Sequence, residues 1–427
     1  MSIALGEFWT RLVKSGIADA EGCRNVAAAF TKANSGTPPS DAQAVARFMV
    51  KRGKLTRFQA RALLATPPRE LRAGRYVIRS DQSAPPLSRW LEASRVSDRR
   101  QGLLLHAPLP NASQGLTDLW EIHQSIECGS LQPLELEFHS NSLLLFSSMP
   151  PGRCLIEQVS DGRALSAAEV CRKGIAIAHA LDALHAASLI HGQVRADRVW
   201  IGEEGQTILL RDPSVSSGGS STQADWLDQL ESPVLYAAPE LQGDVQAAGV
   251  ATDLYSLGCL LFRLATGRMP FRGDTDAETS AAHGSQTPPE LSEAITRGES
   301  GDPLLRVIAF AMAKNPGARF ASAEQLANAL QATLALLATE REVDQPAKDR
   351  SKTGADPLPR RKRAKAGDSP PKESSAKSGA PVRAGSKSQT ASPAAEPIPV
   401  TKELLAIPPA SAAEIDTVPP AATKSPS

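Results

Sequence analysis

The sequence predicts an α+β protein with a two-lobed body, a small all-α region in front of it and an unstructured tail behind. Three observations point there. Residues Ser2 to Pro68 carry apolar side chains at helical spacing. From Tyr76 to Val159 the apolar residues alternate as in strands, and after Ser166 the pattern turns helical; strands followed by helices form an α+β body. From Val343 onward the chain is Pro, Ala, Ser, Lys and Arg with almost no aromatic residue, a composition that cannot bury enough apolar surface to offset chain entropy.

In the leading region Phe8, Leu12 and Val13 share one helix face, Val45, Phe48 and Met49 another, and Leu63 and Leu64 a third, with Gly36, Thr37, Pro38 and Pro39 breaking the run. The strands expected next are Tyr76 to Ile78, Leu103 to Leu105, Leu134 to Phe138 and Leu143 to Phe146, interrupted by a helix from Leu116 to Ile126. Ser166 and Glu169 are spaced as a capping box, and Val170, Gly174, Ile177, Leu181 and Leu184 continue that helix. A last helix starts at Ser322, with Gln325 three residues on, and runs through Leu326, Leu330, Leu334 and Leu337.

The chain has 427 residues, enough for two or three domains at about 100 to 200 residues each. Its net charge of +1 averages unlike parts, because basic residues crowd into Arg360, Arg361, Lys362, Arg363 and Lys365. The 5 cysteines (Cys23, Cys128, Cys154, Cys171, Cys259) lie far apart, without zinc-site or disulfide-framework spacing, so reduced thiols in a cytoplasmic protein are expected. The stretch starting MSIALGEFWTRLVKSG has neither a basic leader nor an apolar h-region, and the most apolar run, Leu257 to Leu264, is interrupted by Arg263. A secretory signal and a membrane span are therefore not expected. His123, His139, His179, His185 and His283 show no metal-ligand spacing.

The motifs lie in the second half. His191, Gly192, Gln193, Val194, Arg195, Ala196, Asp197, Arg198, Val199, Trp200 and Ile201 precede Leu209, Leu210, Arg211, Asp212, Pro213 and Ser214. Downstream come Tyr236-Ala-Ala-Pro-Glu240, then Asp253-Leu-Tyr-Ser-Leu-Gly258, then Thr266 to Phe271, then Ala313 to Phe320 reading AKNPGARF. In this order and spacing the segments resemble the catalytic loop, metal-binding motif, activation-segment end and C-lobe helices of a bacterial-type serine/threonine protein kinase. Leu55 to Ala60, LTRFQA, resembles an element of small helical domains that precede kinase domains in some environmental bacteria.

The resemblance implies a bilobal kinase-like domain over 76–342, with an N-lobe at 76–159 and a C-lobe at 160–342, a helical domain over 1–70 and a tail over 343–427. It also shows where the chemistry departs. Phosphoryl transfer needs the phosphates held, their charge neutralised by Mg²⁺, and the acceptor hydroxyl set against a carboxylate. His191 matches the family's histidine, but Gln193 stands at the catalytic aspartate, and an amide can neither take a proton nor carry charge. Arg198 stands at the metal-binding asparagine, putting a cation where a cation should bind. After Tyr76 the phosphate-covering glycines are replaced by Ser80, Asp81, Gln82, Ser83, Ala84, Pro85, Pro86 and Leu87. The anchoring-lysine position falls on His106, which leaves Glu121 without an ion-pair partner.

Asp212 matches the metal-binding aspartate, and its readings stay open: a retained Mg²⁺ ligand, a carboxylate neutralised by Arg198, or a solvated loop residue. Glu240 and Arg319 match the family's buried ion pair, and Asp253 the acceptor for the catalytic-loop backbone. The Ser- and Gly-rich Val215 to Thr222 fits an activation loop or a plain linker. The function this implies is a non-catalytic kinase-like module, a pseudokinase with protein partners in signalling and no cofactor. The alternative is an active ATP- and Mg-dependent serine/threonine kinase with displaced residues. A third reading is polyanion binding through Arg360 to Lys365.

Overall fold

In the computed structural model the described residues are 3–81, 83–108, 121–139, 142–159, 162–212, 227–242, 248–297 and 302–343. The tail with its basic run, the segment Val215 to Thr222, the flanking Pro213 and Ser214, Gln82 and the first part of the expected helix Leu116 to Ile126 lie outside them.

Four helices open the chain: α1 (Leu5–Lys14), α2 (Ala20–Ala33), α3 (Ala42–Lys51) and α4 (Arg57–Leu64). Phe8, Leu12, Val45, Met49, Phe58 and Leu63 form their core, which Leu71 joins and against which Ile78 packs. Short polar side chains start the helices. Asp19 accepts from Gly22 N–H and Asp41 from Ala44 N–H, while Thr56 and Gln59 form a complete capping box on α4. Thr56 Oγ1 also donates to Arg79 O and Gln59 Nε2 to Ile78 O, so the helical cap is bonded to the first long strand that follows.

That strand belongs to a six-stranded antiparallel sheet in the order β1-β2-β3-β4-β6-β5, built from β1 (Arg72–Ala73), β2 (Tyr76–Ser80), β3 (Leu91–Arg95), β4 (Gln101–Pro108), β5 (Glu135–His139) and β6 (Ser142–Ser147). The sequence pattern did not reveal β3, LEASR, because its apolar positions are only Leu91 and Ala93. One face of the sheet packs Tyr76, Leu104, Leu144 and Phe146. The other carries Leu105, Leu143 and Leu145, with Leu103 and Leu136 against them. Residues 121–125 are helical, and Glu121 is exposed.

A small antiparallel sheet, β7 (Gly152–Cys154), β8 (Val199–Gly202) and β9 (Thr207–Leu209), lies beside a largely helical body. After the short α5 (Ile156–Val159) comes the twenty-residue α6 (Ala167–Ala186), started by the Ser166/Glu169 capping box. α7 (Val250–Thr266) is buried nearly along its whole length and forms the centre of the main core with α6 and α11 (Ala323–Val343). α8 (Asp276–Ser285), α9 (Pro289–Arg297) and α10 (Pro303–Ala311) complete the lobe. Gly174 lets three of these helices meet, since a Cβ there would stand 2.8 Å from both Leu261 Cδ2 and Leu330 Cδ1. At the start of α11 Ser322 Oγ accepts from Gln325 N–H, but the Gln325 amide reaches Ala321 N–H rather than Ser322, so half of a box is formed. None of the described helices is long and apolar enough to cross a membrane.

Candidate functional site

The loop of residues 191–198 lies between α6 and β8 and is held by Asp253, the fourth residue of α7. Its Oδ2 accepts from His191 N–H at 2.9 Å, its Oδ1 from Gly192 N–H at 2.8 Å, and His185 Nε2 is 2.9 Å from Oδ2. Gly192 has φ 69°, a left-handed conformation that glycine adopts without a Cβ clash. His191 is buried and kept neutral. Its Nδ1 accepts from Gln193 N–H, so the proton sits on Nε2, which faces Leu210 O at 2.8 Å, and burial holds the imidazole below its ordinary pKa.

Gln193 Oε1 accepts from Arg198 Nε at 3.1 Å and from Arg195 Nη2 at 3.5 Å. Asp197 pairs with both arginines: Arg195 Nε donates to its Oδ1 at 2.9 Å, and Arg198 Nη1 lies 3.2 Å from its Oδ2. Leu230 N–H donates to the same Oδ2. Asp197 is fully buried, and the sequence reading gave it no role. The signal was there, because a buried carboxylate requires paired cations and Asp197 stands between Arg195 and Arg198. Arg198 reaches further, donating from Nη1 to Asp228 O at 2.8 Å. Asp212 is 8% exposed, which excludes the solvated-loop reading. Its neighbour Arg211 is also buried, donating to Gln132 O at 2.9 Å and His123 O at 2.6 Å, and burial lowers its pKa to about 10.

His106 corrects the alignment made from sequence. It pairs with Leu144 across the sheet and is exposed, so it shares the face of Leu104 and Leu144. The face turned toward Leu210 and Trp200 carries Leu103 and Leu105. A strand repeats every two residues, so an alignment displaced by one residue puts a side chain on the wrong face.

Leu210 and Trp200 do not face an open space. Leu87, Trp90, Leu105, Leu134, Leu143, Leu145, Leu210 and Leu227 form one cluster in which no member is more than 5% exposed. Leu87 and Trp90 come from the segment aligned with the phosphate-covering loop, and Leu227 from just before the activation-segment end. Polar bonds tie these two segments together. Asp228 N–H donates to Pro86 O at 2.8 Å, Ser88 Oγ to Asp228 Oδ1 at 2.7 Å, and Ser88 N–H to Asp228 Oδ2 at 3.1 Å.

Further down, Arg319 donates from Nη1 and Nη2 to Glu240 Oε1 and Oε2 at 2.7 and 2.8 Å, and also bonds Ala251, Ala313 and Lys314 carbonyls. Burial opposes the Glu240 charge, but the Arg319 hydrogen bonds outweigh it and hold the carboxyl below its ordinary pKa. Glu231 is bonded by Arg263, by the Tyr236 hydroxyl and by Ala196 N–H, which joins the activation-segment end to α7 and the loop. Arg263, the residue that interrupts the most apolar run, thus has a buried partner.

These features define a protein kinase fold, and the comparisons agree. Residues 122–330 match the protein kinase domain family, and this part of the chain is a protein kinase domain of the bacterial serine/threonine type. The serine/threonine-protein kinase PknJ of Mycobacterium tuberculosis is 34% identical over 163 residues, which covers 37% of this chain and 27% of that protein. Serine/threonine-protein kinase Pkn1 of Myxococcus xanthus is 30% identical over 213 residues, 46% of this chain and 30% of that protein. The chain thus matches less than a third of the length of these relatives.

Proposed function

We propose that this chain is a non-catalytic kinase-fold module that engages protein partners in cytoplasmic signalling without binding Mg-ATP. The observation that carries the reading is the packed cluster between the lobes: Leu87, Trp90 and Leu227 fill the space between the Leu105 face of the sheet and the Leu210–Trp200 floor. A nucleotide there would have to displace side chains that are at most 1% exposed. The residues around it fit a magnesium nucleotide poorly. Arg198 puts a guanidinium at the second-metal address, Gln193 offers an amide in place of a carboxylate, and both are already bonded, one to the other. Arg198 also holds Asp228, which holds Ser88, so a residue at a lost metal position helps keep the cleft shut. Five free cysteines fit a reducing compartment.

The retained Asp212 and the kinase relatives favour the second reading, an active serine/threonine kinase using ATP and Mg²⁺. Thermal unfolding with and without millimolar Mg-ATP separates the two. A non-binder keeps its melting temperature, whereas a site filled a hundredfold over its Kd stabilises by about 2.7 kcal/mol. A Mg-dependent shift, or autophosphorylation abolished by Asp212→Ala, promotes the kinase reading.

A further inference from the structure

Outside the kinase domain, the strongest unused feature is the charge on helices α3 and α4. From Ala42 to Arg69 the sequence holds 7 Lys and Arg and no Asp or Glu. Four of them, Arg47, Lys51, Arg57 and Arg61, rim a groove of about 670 Å³ between the two helices. All four are exposed. Elsewhere arginines find carboxylates, as Arg95 does with Asp98 and Glu135, Arg263 with Glu231 and Arg319 with Glu240. Among the described residues these four have no such partner.

Their spacing makes the arrangement unfavourable for the isolated protein. Arg47 and Lys51 stand four residues apart on α3, Arg57 and Arg61 four apart on α4, and like charges at that spacing repel on a helix surface. The floor between the two basic rims is apolar: Ala46 and Ala60 are buried, and Val50 and Leu64 half-buried. A cationic surface for phosphates alone would need no such floor, because counterion release depends on charge only. A membrane surface would call for a protruding apolar face rather than a recess. A recess with an apolar floor and two cationic rims is complementary to a helix carrying an apolar stripe between two carboxylate-bearing flanks.

We infer that the groove between α3 and α4 docks an acidic amphipathic helix from a partner protein. The inference holds whichever way the nucleotide question is decided, since it uses no residue of the kinase domain. Apolar residues at i and i+4 of the partner fill the space above Ala46, Val50, Ala60 and Leu64. Glutamates or aspartates beside them pair with Arg47, Lys51, Arg57 and Arg61, which supplies the counter-charges the fold omits.

Fluorescence anisotropy on the full-length chain tests it with a fluorescein-labelled helical peptide of glutamate, alanine and leucine, the leucines at i and i+4. Expected is salt-sensitive binding, weakened by about tenfold or more in the double variant Arg47→Glu, Arg61→Glu, whose folding is checked by circular dichroism. Should that variant unfold, Lys51→Ala with Arg57→Ala must weaken binding in the same direction. Equal affinity for the peptide with leucines changed to alanine, for duplex DNA, or for phosphatidylserine vesicles overturns the proposal in favour of a plain anion surface. No binding, unchanged binding by the folded variant, or a wild-type dimer that the variant abolishes overturns it as well.

Discussion

Arg319 makes its five hydrogen bonds with a side chain that is wholly buried, so removing it takes both guanidinium bonds from the partly buried Glu240 and leaves three carbonyls without this donor. Arg319→Ala is expected to lower unfolding stability by about 3 to 5 kcal/mol, read from urea denaturation. A midpoint equal to wild type would mean the pair carries no net stabilisation. Gln193 behaves differently, because Oε1 already lies against Arg198 and Arg195. Gln193→Asp is therefore expected to fold, with a carboxylate near two guanidinium groups, and still to transfer no phosphate from [γ-³²P]ATP to itself or to a general acceptor. Recovered transfer would show that this one position had held activity back. The sequence pointed to Arg198 and Gln193 by motif position, but it did not show that Arg198 is paired with Asp197. Ion-pair choice depends on side-chain directions that residue spacing leaves open.

At the scale of elements, the segment 83–90 replaces a glycine-rich turn by one that sends Leu87 and Trp90 inward. Trp90 is 1% exposed and packs among leucines from β4, β6 and the second lobe. Trp90→Ala is expected to lose about 3 to 5 kcal/mol in urea denaturation through lost burial and the cavity left behind. A loss below about 1 kcal/mol would mean the cleft is not packed in solution. The capping box at Ser166 was legible in the sequence because it needs only a local pattern of four residues. Strand β3 was not, since LEASR is held by pairing with β2 and β4 rather than by its own apolar pattern. The same limit explains His106, whose face is set by the pairing of β4 with β6.

For the whole molecule, buried histidines make stability depend on acid. Burial pushes His123 down to about 3 and His283 to about 4, and lowers His191 as well, all from an ordinary value of 6.5. A depressed base is neutral in the fold, whereas the unfolded chain takes up protons below about 6.5. Its contribution is complete above that pH and is lost as pH falls toward the folded values. The melting temperature is therefore expected to be level from pH 8 to 7 and to fall between pH 6.5 and 4.5, before carboxylates such as Glu240 contribute. His123→Leu should reduce that slope, because neither ring nitrogen has a hydrogen-bond partner among the described residues. A flat profile down to pH 4.5 would rule out this source of acid sensitivity.

The sequence by itself determined that a strand-rich stretch precedes a helical one, the kinase-like frame of motifs around His191, Glu240, Asp253 and Arg319, and the residue types at the loop positions Gln193 and Arg198. These follow from local periodicity and from fixed spacing along the chain. Only the tertiary structure decided that Leu87, Trp90 and Leu227 meet between the lobes, that Asp197 takes both arginines, and that the basic rims of α3 and α4 face one groove. Those contacts join residues far apart in sequence or depend on side-chain direction, and packing in three dimensions selects them, not spacing along one.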